Sequence, residues 1–275
     1  MNNKSPDSAS PYAGQNVYDL DKTQYLKTLA ELFTYKPIAL KMFAQGVHVG
    51  DRVFDAGCGP GIDLPKLSGM VGPKGQVIGM DYDNELLKEA DDLCTREGLK
   101  NVRLIQGDLQ SIDIPDSYFN AVRCDRVLQH VEDPRKVVIE LSRVLKPGGA
   151  LVVSDPLWRT WSIEPNSEIA QKVISYKQNK NIRNPNFPDE VAQLLRSLKF
   201  KNIESKDTNE VTNNFEIFDD FFYIHKLLQV MMKNDQLSES QAQKWLHDIE
   251  NVSLEHRGEF KSQYTIRTFK GFKHA

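Results

Sequence analysis

Residues 53–65 read VFDAGCGPGIDLP. A short apolar run leads to an acid, Asp55, then Ala56, and then to glycines at alternate positions, Gly57, Gly59 and Gly61. An apolar run that breaks at glycine and re-enters an apolar period predicts a strand, a tight turn and a helix. Glycine there permits positive φ and lets the main chain approach a ligand closely. The missing residues narrow the ligand. A dinucleotide turn follows G-x-G-x-x-G, and Ile62 stands where its third glycine belongs. The G-K-[ST] ending of a phosphate loop is absent as well. The turn would thus offer main-chain N–H groups without either phosphate signature, and a ligand-free βα turn fits the same residues.

Working outward, strands and helices alternate. Strands are predicted at 52–56, 76–80, 102–106, 118–124 and 150–154, with helices at 62–70, 84–97 and 134–145. Gly98 and Pro147-Gly148-Gly149 are the helix stop signals. This rhythm predicts an α/β fold, a Rossmann-like doubly wound sheet. Ligands of such sheets sit at the carboxyl ends of the strands. That rule gathers 55–61, Asp81, Gly107, Asp108, residues 124–126 and Asp155 on one rim. Asp81 could accept both hydroxyls of a ribose and would repel a 2′-phosphate. Asp108 could accept from an exocyclic amine. Each acid alone would also serve as a helix cap or turn residue.

The 275-residue chain carries 35 basic and 38 acidic residues, a formal charge of −3, with no basic run, which disfavours nucleic acid as the main partner. The start, MNNKSPDSASP, lacks a secretory pattern, and no stretch reaches the roughly 18 apolar residues of a membrane span. Three cysteines without metal-type spacing point to a reducing, cytoplasmic setting. Six histidines show no paired ligand spacing, so no metal site is expected.

Taken together, D-A-G-C-G-P-G, the acid after V-I-G-M, G-D-L, D-R-V-L-Q-H-V and L-K-P-G-G resemble the class I S-adenosylmethionine-dependent methyltransferases, most nearly the ubiquinone/menaquinone-biosynthesis-like branch that acts on small molecules. The resemblance is dense over roughly residues 50–155. It implies S-adenosyl-L-methionine as cofactor and a seven-stranded sheet. It implies that Ala56, Gly57, Gly59 and Gly61 lie along the methionine part, with Asp55 near its cationic groups. Asp81 would hold the ribose, Tyr82 would lie against the adenine, and Gly107, Asp108 and Leu109 would meet its amine edge. Cys124 would offer its carbonyl to the ammonium and Arg126 a guanidinium to the carboxylate. His130 would face the acceptor as a candidate base, its ordinary pKa near 6.5 suiting a phenol or an activated carbon. Asn120 stands where such enzymes usually carry Asp, a position read as structural.

The expected organisation is a tail (1–11), N-terminal helices (12–50), a cofactor-binding core (51–155), a lid insertion (156–186), core (187–208), a helical lid insertion (209–262) and a last strand (263–275). Long helices are predicted at 215–233 and 239–255. Their aromatic stripe, Phe215, Phe218, Phe222 and Tyr223, reads first as core. With Trp158 and Trp161 it could instead roof an apolar or aromatic acceptor. Asp155-Pro156-Leu157-Trp158 resembles the D-P-P-W of amino-methylating enzymes but follows the wrong strand, so a proline-opened loop is the reading. Cys58 and Cys124 could meet at the rim, with Cys94 facing elsewhere. Two other functions fit the same motifs: a non-methylating reaction such as a cyclisation, and methylation of nucleic acid.

Overall fold

The computed structural model describes residues 33–180, 182–255 and 260–274. The expected tail and the first N-terminal helix lie outside them. The strands are β1 (Arg52–Ala56), β2 (Gln76–Asp81), β3 (Val102–Gln106), β4 (Phe119–Asp125), β5 (Leu145–Glu164), β6 (Phe200–Thr212) and β7 (Lys261–Lys273). They form one sheet in the order β3-β2-β1-β4-β5-β7-β6, in which only β7 runs against its neighbours. The central strands are buried along nearly their whole length, as a parallel sheet covered on both faces requires.

Helices α1 (Lys36–Ala44), α2 (Leu64–Val71) and α3 (Asn84–Arg96) cover one face, burying Phe43, Leu67 and Leu87 against Val53, Val77 and Ala121. Helices α4 (Pro134–Val144) and α6 (Pro188–Ser197) cover the other, burying Val138, Leu141 and Leu195 against Phe54, Val122 and Leu151. Local chemistry starts these helices where the sequence predicts. Asp83 caps α3 by accepting from the Glu85 and Leu86 N–H groups, and Asp133 caps α4 by accepting from Lys136 N–H.

The second half differs from the sequence-based expectation. Residues 156–164 are not a loop: β5 continues through Asp155-Pro156-Leu157-Trp158, pairing Pro156 with Ile266 and Glu164 with Lys261. Beyond Ser154 the β4 partner has ended, so β5 has a ladder neighbour on one side only and proline removes no bond on the other. Strand β6 runs on to Thr212, past the end of the core segment expected at 187–208. Its Lys, Asp and Glu residues are those of an edge strand, whose exposed charges obscure the alternation. The 215–233 helix divides at Tyr223, which adopts a left-handed conformation (φ 52°), giving α7 (Phe215–Phe222) and α8 (Ile224–Lys233). These, with α5 (Glu168–Lys180) and α9 (Glu239–Glu255), enclose a third core of Trp158, Trp161, Phe218, Phe222, Phe260 and Tyr264. Phe215, Phe218 and Phe222 are therefore core, as the first reading of the stripe has it, while Tyr223 is half-buried at the break between the two helices.

The segment before α1 is tied to this cap through Glu210 on β6, which is buried. Its carboxylate accepts from Thr34 N–H (2.9 Å), Thr34 Oγ1 (3.0 Å) and Tyr35 N–H (2.8 Å). Glu210→Ala is expected to cost about 2–3 kcal/mol in urea denaturation, the scale of hydrogen bonds to a charged group. It should also speed amide exchange at Thr34 and Tyr35, and unchanged exchange there would rule out Glu210 as the anchor.

Candidate functional site

The strand order reverses direction between β1 and β4, and the crevice of a doubly wound sheet opens at such a point. The pleat decides what faces it. Val53 and Ala121 pack toward α1 and α2, so Asp55, Arg123 and Asp125, each two residues further along its strand or four, face the same way. Asp55 and Arg123 are register partners across the β1–β4 ladder. Arg123, 3% exposed, donates to Asp55 at 3.0 Å and to Asp63 at 2.7 Å, and it is also paired with Asp125. Lys36 Nζ donates to Asp63 at 2.9 Å, and Tyr35 Oη donates to Asp125 at 2.7 Å. Three carboxylates thus face two cations beside the glycine turn.

Burial pushes Asp55 up to about 6, with Asp63 and Asp125 adding to the rise against the pull of Arg123. Asp63 goes the other way: in spite of its burial, Arg123 and Lys36 hold it down at about 2. Arg123, Asp125, Asp63, Lys36 and Tyr35 escape a reading by motif. Period-two alternation could have placed Arg123 beside Asp55, had the β1–β4 register been known.

The turn is built around its glycines. Gly57 has φ 77°, and a Cβ there would lie 2.2 Å from Val127 Cγ2, so the loop after β4 can rest on the turn only because this residue has no side chain. The N–H groups of Gly57 and Cys58 donate to Met80 O, that of Gly61 to Cys58 O, and that of Gly59 to Asp81 Oδ2 at 2.8 Å. These four donors are engaged within the protein, which differs from a turn that aims its N–H groups at a ligand. Asp81 also accepts from Asp83 N–H at 2.9 Å, and burial raises its pKa. It therefore joins the turn to the start of α3.

Of the other rim residues, Tyr82 is half-buried, Asp108 is exposed and accepts from Gln110, and Leu109 is buried beneath it. The Gly107 N–H donates to Asp81 O, joining the β3 and β2 ends. Ala56 and the Cys124 side chain point into the core under α4. Cys58 lies on the opposite face with Cys94, so Cys58 and Cys124 do not meet, and all three cysteines are buried. Asn120 Oδ1 accepts from Arg52 N–H and Lys146 Nζ, a structural role.

The loop after β4 carries Arg126 and His130. Arg126 has φ 61°, its guanidinium carbon lies 4.4 Å from the centre of the Phe33 ring, and its N–H donates to Ser154 O. His130 is half-buried. Desolvation and the charges of Arg126, Lys177 and Arg183 push its pKa down to about 3, so it is neutral and a weaker base than its ordinary value implies. Asp155 fastens the same loop from β5, accepting from the N–H groups of Leu128 and Gln129 at 3.3 Å each.

A protein family described as "Methyltransferase domain" matches residues 47–216. Among curated proteins, an uncharacterized 37.1 kDa protein of a Streptomyces fradiae transposon is 35% identical over 184 residues, 66% of this chain and 52% of that one. The ubiquinone/menaquinone biosynthesis C-methyltransferase of Francisella tularensis is 36% identical over 109 residues, 39% of this chain and 44% of that one. The chain spans about half the length of the curated relatives it matches. Among solved structures, the YcgJ protein of Bacillus subtilis shares the fold at a TM-score of 0.60 and 18% identity, over 87% of this chain and 99% of that one. Fold and site thus define a Rossmann-like α/β protein with its crevice at the β1–β4 switch point. The chain belongs to the class I S-adenosylmethionine-dependent methyltransferase family.

Burial pushes Asp155 up to about 8, with Asp125 adding to the rise. Its folded pKa exceeds the unfolded value near 4, so the stability it contributes is complete below about pH 4 and is lost as pH rises toward 8. Asp155→Asn, which cannot ionise but has only one oxygen for the Leu128 and Gln129 N–H groups, tests the pH dependence rather than the absolute stability. Between pH 4 and pH 8.5 the wild type should lose at least about 1.4 kcal/mol more than the variant, one pKa unit's worth. Urea melts at the two pH values measure the difference, and parallel pH dependence of both proteins would acquit Asp155.

Proposed function

We propose that this protein transfers the methyl group of S-adenosylmethionine to a small apolar or aromatic acceptor. The observation that carries the reading is the carboxylate-rich cluster of Asp55, Asp63 and Asp125 around Arg123. It borders a glycine turn whose sequence carries no phosphate signature. That chemistry fits a ligand with an ammonium and a sulfonium and no phosphate. Asp81 stands at the β2 end, where a ribose would be held, with Tyr82, Gly107, Asp108 and Leu109 at the adenine end. The Cys124 carbonyl and Arg126 would meet the ammonium and carboxylate. The curated relatives named C-methyltransferases support a carbon acceptor without deciding the atom.

The cofactor supplies an activated methyl group on a sulfonium leaving group. The chain's own residues have three tasks. The acid cluster favours a cationic ligand in the crevice. The loop from Arg126 to Val131, held by Asp155 and resting on Gly57, positions the acceptor side of the pocket. The aromatic cap built on the β5–β7 extension keeps water away from the reacting atoms. A neutral His130 donates or accepts one hydrogen bond at the acceptor. It would take up a proton only if the bound substrates raise its basicity.

Two variants test the reading. Asp81→Ala is expected to weaken cofactor binding by about 1.5–3 kcal/mol in titration calorimetry; equal affinities would remove Asp81 from the site. His130→Ala should leave cofactor affinity within about threefold and lower turnover by roughly 10²-fold. Near-normal turnover would leave His130 a packing role.

A further inference from the structure

Lys36 opens α1, at the end of a short segment laid along the carboxyl ends of the strands. The contacts of that segment come from separate parts of the chain. Thr34 and Tyr35 donate to Glu210 on β6, and Tyr35 Oη donates to Asp125 at the end of β4. Phe33 meets the Arg126 guanidinium from the loop after β4, and the Phe221 ring from α7 with ring centres 5.2 Å apart. Lys36 Nζ donates to Asp63, just after the glycine turn, at 2.9 Å. The segment is thereby fixed on both sides of the β1–β4 switch point, and the Lys36 ammonium lies on the glycine-turn side.

Arg123 and Lys36 are the two cations of the acid cluster, and they are not equivalent. The Arg123 side chain is 4% exposed and donates to three carboxylates. The Lys36 side chain is 14% exposed and has one acceptor among the described residues, Asp63 Oδ2. An ammonium carries three donors, so Lys36 has donors left for a ligand. The cluster's charge sets the problem that such a ligand meets. With every group ionised, Asp55, Asp63 and Asp125 outnumber Arg123 and Lys36 by one charge. That excess attracts the ammonium and sulfonium of S-adenosylmethionine and repels its carboxylate. A carboxylate is accommodated there where a cation with donors to spare faces it, and the bond it then accepts is charge-assisted.

We infer that Lys36 recognises the carboxylate of the cofactor's methionine part, joining the Arg126 proposed above, while the acid cluster takes the cationic groups. The inference rests on the proposed methyl-transfer reading and adds to it a binding residue that lies outside every motif of the sequence.

The test uses the full chain and two ligands in titration calorimetry. One is S-adenosylhomocysteine; the other is its decarboxylated analogue, which keeps the ammonium, thioether, ribose and adenine. The wild type is expected to bind S-adenosylhomocysteine about tenfold or more tightly than the analogue, the scale of a charge-assisted hydrogen bond. The acid cluster alone would favour the analogue, whose net charge is the more positive. Lys36→Met should reduce the preference about fivefold or more by weakening S-adenosylhomocysteine, with the analogue bound as tightly as before or more so. Lys36→Arg should keep most of the preference. Should Lys36→Met fail to fold, Lys36→Gln, which can still donate to Asp63, allows the same comparison. Failure of the wild type to bind either ligand would overturn the methyl-transfer reading and this one with it. Binding with no preference for the carboxylate, a preference unchanged in the Lys36 variants, or equal weakening of both ligands (the mark of a lysine that only braces Asp63) would overturn the role of Lys36 alone.

Discussion

The contact between Asp55 and Arg123 organises this molecule. It spans the two strands at which the sheet reverses its winding, and it is buried, with Asp63 and Asp125 completing the cluster. Burying an ion pair is costly unless its remaining hydrogen bonds are satisfied. Here the guanidinium finds three carboxylates, Lys36 shares Asp63 Oδ2 with it, and Tyr35 satisfies the other oxygen of Asp125. Stability alone does not require such a cluster, since apolar residues of the same volume would serve a core as well. Its place at the β1–β4 switch point fits the proposed role in favouring a cationic ligand. It also joins four parts of the chain, because β1, β4, the start of α2 and the segment before α1 must all arrive before the charges are paired.

A second constraint is the length of β5. A strand ending at Ser154 would leave a core sheet with an open carboxyl edge. By running on to Glu164 against β7, it lifts Trp158 and Trp161 above that edge and gives α5, α7, α8 and α9 a surface to cover. The cap is thus an extension of the sheet itself rather than a lid hinged on two loops. Asp155 sits at the transition and fastens the loop that carries His130. Core sheet and aromatic cap consequently share one strand.

Much of this is written locally. The glycine turn, the alternation of strands and helices as far as Ser154, the caps at Asp83 and Asp133, and the strand-end acids all depend on residues close in sequence. Short-range sterics and hydrogen bonding settle such features. Pro156 misleads for the same reason: local rules end a strand at proline, and only the absence of a β4 neighbour makes it harmless. Tyr223 carries no glycine or proline to announce its left-handed turn, so the break between α7 and α8 leaves no mark in the residues.

The sequence by itself determined the alternation that winds the central sheet, the glycine turn after β1 and the acids at the strand ends. Each of these follows from periodicity and backbone sterics within a few residues. Tertiary structure alone decided that Asp55 is answered by Arg123, that His130 is kept neutral, and that Cys58 keeps company with Cys94. Those outcomes depend on register between strands and on charges brought together from distant parts of the chain. Coulombic and desolvation energies are set by separation in space, which a linear pattern of residues does not contain.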